Sequence, residues 1–87
     1  MATVQVQQTT PSRHTLITAG PVGIFKVDTG QDWKQSFGFQ QYDTGFRLGV
    51  VTRRGFRTVR QALFSTAREG RLWAEQMIRG NGPFDVY

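Results

Sequence analysis

Cysteine is absent from this chain of 87 residues, and histidine occurs once, as His14. Disulfide bonds, thiolate metal sites and a cysteine nucleophile are therefore excluded, and one histidine cannot supply a metal cluster of the usual spacing. No apolar run is long enough to span a bilayer. The N-terminus also lacks the basic start and apolar stretch of a signal peptide. We expect one small cytoplasmic protein, free, associated with the nucleoid or within a virus-infected host cell.

Groups suited to catalysis are equally scarce. His14 lies in or near a polar strand, which favours a surface position. Asp28, Asp32 and Asp43 fall in predicted turns, where aspartate is favoured because it makes local hydrogen bonds. The glycine-rich "GNG" and "DTG" lack the Lys-Ser/Thr pair of a phosphate-binding loop. We therefore expect a non-enzymatic protein with no cofactor and no metal.

Acidic residues are few, with six against eleven basic residues, and the net charge is +5. Residues 44–80 contain eight arginines and only two acids, whereas residues 1–43 are balanced. Arginine binds phosphate and carboxylate in a planar fork, which lysine does not. This distribution favours an acidic partner, with nucleic acid as the first candidate. The alternative is a merely solvated face that reflects arginine-rich codon usage.

Period-two alternation in the first half predicts an antiparallel sheet of three to five strands over about residues 3–51. Short strands are predicted around residues 4–6, 16–17 and 22–28. The clearest strand, over residues 33–42, has on one face Trp33, Gln35, Phe37, Phe39 and Gln41. The next has on one face Phe46, Leu48 and Val50. Short turns between these segments favour a meander.

A helix is predicted over about residues 53–79, because apolar residues recur there at spacings of three and four. They are Phe56, Val59, Leu63 and Ala67. Thr52 suits the N-cap, and Gly70 either joins two helices or is a costly interior residue. The fold class is then α+β, a small antiparallel sheet packed against a C-terminal helix or broken helix pair.

Residues 1–87 are expected to form a single domain. Residues 1–12 are interpreted as a flexible or strand-exchanging arm, and residues 80–87 as a C-terminal tail. A small domain without covalent cross-links often gains stability by oligomerising. We therefore expect a homodimer or a higher oligomer.

The segment "TRRGFRTVRQ", residues 52–61, places arginines at the predicted helix start. Arg53, Arg57 and Arg60 would share one side of the helix, with Arg54 nearer the rim. The helix dipole disfavours positive charge at this end, so a bound phosphate would relieve the mismatch. Alternatively, the three aspartates of the strand turns fold over and pair with these arginines.

Aromatic residues on the predicted sheet alternate with basic and amide side chains. Single-stranded nucleic acid stacks its bases on such rings while cations hold its backbone, so single strands are preferred over duplex. Alternatively, all the rings are core or dimer contacts. The candidate residues for binding nucleic acid or an acidic partner are Arg53, Arg54, Arg57, Arg60, Lys34, Arg47 and Tyr42.

The stretch "FRLGVVTRRGFRTVRQAL" is similar in character to the last strand and following helix of the single-strand-binding transcriptional coactivator and Whirly group. The resemblance is at the level of the fold and covers about half of the chain. It implies a four-stranded curved sheet on a helix, in dimers or tetramers that bind single-stranded DNA.

A second hypothesis is a small protein-binding module. It would be a phage- or plasmid-type inhibitor, or a structural subunit, whose basic helix docks on an acidic partner surface. The Gln-rich N-terminal arm and the apolar tail "FDVY" favour it, because either segment could add to a partner.

Overall fold

The computed structural model describes residues 15–85 as a four-stranded antiparallel sheet and one C-terminal helix. The elements are β1 (Leu16–Asp28), β2 (Lys34–Tyr42), β3 (Gly45–Thr52), β4 (Gly55–Thr58) and α1 (Ala67–Asn81). The strands pair in the order β1-β2-β3-β4, as a meander. The predicted α+β fold class is therefore confirmed. His14, the strand at residues 4–6 and the arm at residues 1–12 lie outside the described residues.

Strands β2 and β3 have the two faces that their alternation predicts. Phe37 pairs with Val50 and Phe39 pairs with Leu48, so these side chains lie on the same face of the sheet. All four are at most 1% exposed. The helix covers this face and adds Ala74 and Ile78 to the core.

Strand β1 is one continuous strand, although the sequence predicts two short strands separated by Gly20 and Pro21. Its pairing with β2 shifts register at three places between Leu16 and Phe25. These bulges absorb the interruption, because a proline is tolerated in an edge strand where its missing N–H breaks no ladder. Gly23 lies within this bulged stretch with φ of 61°.

The prediction that a helix begins near residue 53 is wrong. Residues Thr52 and Gly55 pair with each other across a two-residue turn, and Val51 pairs with Phe56. Gly55 has φ of 118°, a conformation that no helix contains and that glycine adopts without steric cost. The segment is therefore the β3–β4 hairpin.

The chain after β4 returns along β3 without regular structure. Val59 donates its N–H to the carbonyl of Leu48 at 3.1 Å, and Phe46 and Phe64 exchange two backbone hydrogen bonds of 2.8 Å. Val59 and Phe64 thus reach the core from a segment that follows the strand edge. Their spacing resembles a helical stripe, although each is positioned by pairing with β3.

Helix α1 begins after Thr66, whose side chain accepts a hydrogen bond from the Glu69 N–H at 3.2 Å. This is ordinary N-capping. The helix ends at Asn81, and its C-cap Gly82, with φ of 80°, is followed by Pro83. Gly70 lies inside the helix and is buried, so the helix is continuous through it.

Gly70 is required by the close approach of the helix to the sheet. A Cβ at this position would lie 2.5 Å from Cε1 of Phe39 and 3.2 Å from Cδ2 of Phe64. Both rings are buried in the core, so neither can move aside freely.

We expect Gly70→Ala to destabilise the protein by about 1–3 kcal/mol, because overpacking outweighs the gain in helix propensity. Gly80→Ala is the matched control, since Gly80 is in the same helix with nothing within 4 Å of its Cβ position. That change should stabilise by up to about 1 kcal/mol. Urea denaturation measures both, and a Gly70→Ala protein as stable as wild type would contradict the packing argument.

Candidate nucleic-acid interface

The tip of the β3–β4 hairpin consists of Arg53 and Arg54. The Thr52 hydroxyl accepts a hydrogen bond from the backbone N–H of Arg54 at 3.1 Å, which holds the two-residue turn. Arg57 follows on β4, where it pairs with the buried Val50. The hairpin therefore presents three arginines from a strand that is anchored in the core.

These three arginines are exposed and have no acidic partner in the part of the chain that the structure describes. In residues 15–85, the ion pair within 4 Å joins Arg71 and Glu75 at 3.4 Å. Two of the aspartates accept hydrogen bonds from backbone N–H groups instead. Asp28 accepts from the Gly30 N–H at 2.9 Å, and Asp43 accepts from the Thr15 N–H at 3.0 Å.

The arginine cluster is not at a helix N-terminus, so the expected conflict with the helix dipole does not arise. The first turn of α1 contains Glu69, as the dipole favours. A phosphate site built from helix N–H groups and Arg53, Arg54, Arg57 and Arg60 is therefore ruled out by the geometry. The segment that carried the coactivator and Whirly resemblance likewise forms a hairpin, and no strand runs directly into the helix.

Arg60 is separate from the hairpin cluster. Its guanidinium carbon lies 4.2 Å from the ring centroid of Phe64 and 5.6 Å from that of Trp73. The residue is half-buried. Stacking on two rings fixes the guanidinium against the protein itself, so Arg60 contributes mainly to packing.

Arg47 and Tyr42 form a pair at the other end of the sheet. Arg47 donates from Nη1 to the Tyr42 hydroxyl at 3.0 Å, and its guanidinium carbon lies 4.8 Å from the tyrosine ring centroid. Lys34 begins β2 and Tyr42 ends it, which separates them by roughly 26 Å along the strand. The candidate residues therefore divide into two groups.

Lys34 lies at the same end of the sheet as the hairpin tip. The β2–β3 register, with Phe37 opposite Val50, places the start of β2 beside the end of β3. Lys34 is exposed. It is thus the one candidate outside residues 53–57 that the fold brings to the arginine hairpin.

Most rings of the predicted sheet surface lie in the core. Phe25, Phe37 and Phe39 are at most 8% exposed and pack on one another. They cannot stack with a base. The alternative that the sheet rings are core contacts is correct for these three.

Trp33 shares the predicted strand face of Phe37 and Phe39, yet it is 46% exposed in the structure. It precedes β2 by one residue, so the strand alternation does not reach it. Its position directly after the turn signal "DTGQD" was the available clue to a loop residue.

A cleft of about 320 Å³ lies at this end of the sheet, next to Trp33. It is bounded by the start of β2, the end of β3 and the C-terminal tail. Its lining includes Trp33, Lys34, Ser36, Thr52, Phe84 and Asp85. The tail is held by Gln35, whose side-chain amide donates to the Phe84 carbonyl and accepts from the Phe84 N–H, both at 2.9 Å.

Alanine substitutions should destabilise the protein more at the half-buried Arg60 than at an exposed hairpin arginine. We expect Arg60→Ala to lower the free energy of unfolding by about 0.5–2 kcal/mol, because two ring contacts are lost. Arg53→Ala should change it by at most about 0.5 kcal/mol, as is usual for an exposed side chain. Urea denaturation measures both, and equal effects would show that the stacking of Arg60 contributes nothing.

No helix within residues 15–85 is long and apolar enough to cross a membrane. Comparison of the chain with models of protein families, with curated proteins and with solved structures finds no match.

Proposed function

We propose that this protein binds nucleic acid without catalysing a reaction, and that the β3–β4 hairpin contacts the phosphates. One observation carries the proposal: Arg53, Arg54 and Arg57 are exposed on one hairpin and have no acidic partner among residues 15–85. Guanidinium groups bind phosphate oxygens through paired hydrogen bonds. Repulsion among three uncompensated cations is relieved when an anionic backbone lies across them.

The rigidity of the hairpin supports this assignment. Val50, which is opposite Arg57, is 1% exposed, and Val59 continues the pairing by bonding to Leu48. The arginines therefore project from a fixed backbone, and binding would order only their side chains. Lys34 extends the positive surface at the same end of the sheet.

Removing two tip arginines tests the proposal. We expect Arg53→Gln with Arg54→Gln to reduce the slope of log K against log salt by about 1.4–1.8, because each phosphate contact contributes about 0.7–0.9. Affinity near 0.1 M salt should fall roughly 25- to 60-fold, because this loss of slope acts over the decade of salt between 1 M and 0.1 M. Fluorescence anisotropy with labelled single strands and duplexes, across a salt series, measures both quantities.

The matched control is Arg68→Gln with Arg79→Gln, which removes the same charge from exposed positions on α1. This variant should retain most of the wild-type slope. The proposal fails if wild type binds neither probe at low salt, or if the two double variants lose the same affinity. In the second case only the overall charge would matter.

A protein partner is the second candidate, and exposed apolar side chains on β1 favour it. Leu16, Ile17 and Ile24 are 43%, 57% and 57% exposed. If the protein docks on a partner through β1, the double variant Ile17→Ser with Ile24→Ser should lose that partner. The double variant Arg53→Gln with Arg54→Gln should keep it.

Homo-oligomerisation stays a prediction, and light scattering at high micromolar concentration would measure it.

A further inference from the structure

Trp33 combines exposure with a fixed position. Its indole is 46% exposed, whereas Trp73 stacks on Phe84 with ring centroids 5.9 Å apart. The Trp33 Nε1–H donates to Oε1 of Gln31 at 3.0 Å, and its carbonyl accepts from the Thr29 hydroxyl at 2.8 Å. A large ring held in place at the surface loses little entropy when a ligand stacks on it.

The cleft beside this ring is small. Its volume of about 320 Å³ is near the lower end of the range for small-molecule sites. A volume of this size accommodates a single unpaired base, whereas the paired bases of a duplex are not available to enter it. An unpaired nucleobase has the shape and the aromatic face that a fixed indole can stack on.

The charged residues around the cleft indicate on which side the phosphates of a bound strand lie and on which side its base lies. Lys34 lines it, and so does Thr52, which leads directly into Arg53 and Arg54 at the hairpin tip. Asp85 lines it from the C-terminal tail. A carboxylate repels phosphate but accepts hydrogen bonds from the amino and imino groups of bases. The backbone phosphates therefore belong on the hairpin side, with the base beside the tail.

The tail that bounds the cleft is itself fixed. The side-chain amide of Gln35 hydrogen-bonds both the backbone carbonyl and the backbone N–H of Phe84. The Phe84 ring packs against Phe37 and Trp73. Gln35 is 4% exposed, so this clamp is buried. The cleft is consequently formed before any ligand binds.

We propose that the cleft receives an unpaired base stacked on Trp33, so that the ligand of the arginine hairpin is single-stranded nucleic acid. This inference rests on the proposed nucleic-acid function and names its substrate class. It adds Trp33, Ser36 and Asp85 to the binding residues, and it leaves Tyr42 and Arg47 outside the site.

Substitution of Trp33 tests the proposal with three labelled probes: an oligothymidylate, an oligouridylate and a duplex. Trp33→Ala should weaken binding of one or both single strands about five- to 150-fold, the effect of losing one stacked base. Duplex affinity should not change. Trp33→Phe keeps an aromatic face and should lose less affinity than Trp33→Ala, which also covers the case in which the alanine variant does not fold.

Intrinsic tryptophan fluorescence supplies an independent readout. The oligothymidylate should quench the emission of wild type, and Trp33→Phe should abolish most of this quenching, since the remaining Trp73 is packed against the core. Leu72→Ala is the control, because Leu72 is a similarly exposed apolar residue on α1, at 47%. It should leave both affinity and quenching unchanged.

The results separate this inference from the function on which it rests. If the tip arginines control salt-dependent binding but Trp33→Ala binds single strands like wild type, or loses single-strand and duplex affinity equally, the cleft proposal is overturned and the function stands. If wild type binds none of the three probes at low salt, both are overturned.

Discussion

The close contact between α1 and the sheet at Gly70 governs much of the remaining structure. The absence of a side chain there allows the helix to lie directly on the ring of Phe39. With the helix in that position, Trp73 stacks on the tail residue Phe84, and the Phe84 ring packs against Phe37. Gln35 then holds the tail backbone. The cleft beside Trp33 exists because of this series of contacts.

The arginines fall into two physical classes that composition does not separate. Arg47, Arg60 and Arg71 place their guanidinium groups 4.2–5.5 Å from ring centroids of the same chain. Their charge lies against the quadrupole of a ring. The half-buried Arg60 contributes largely to packing, whereas Arg71 also pairs with Glu75. The hairpin arginines have neither a ring contact nor an acidic partner within residues 15–85. The hairpin arginines therefore keep their hydrogen-bonding capacity for a ligand.

The strand faces could be predicted because a period of two is a local property. Phe37, Phe39, Leu48 and Val50 alternate with polar residues or glycine, and a single buried face satisfies that pattern. The helix start could not be predicted in the same way. Val59 and the residues around it have helical spacing, but backbone pairing with β3 positions them. Gly55 was the contrary signal, since a glycine three residues after Thr52 also suits a tight hairpin with two residues at its tip.

For the candidate site, the sequence alone determined the arginine excess, the shortage of acids and the absence of cysteine chemistry. It also determined the α+β class, because alternation and helical spacing are encoded in neighbouring residues. Only the tertiary structure decided which basic side chains lie close together on the surface. The β2–β3 register places Lys34 at the same end of the sheet as the arginine hairpin. The guanidinium of Arg60 stacks on two rings of the same chain, and Trp33 is exposed beside a cleft. These outcomes depend on contacts between residues far apart in the chain, which no local pattern records.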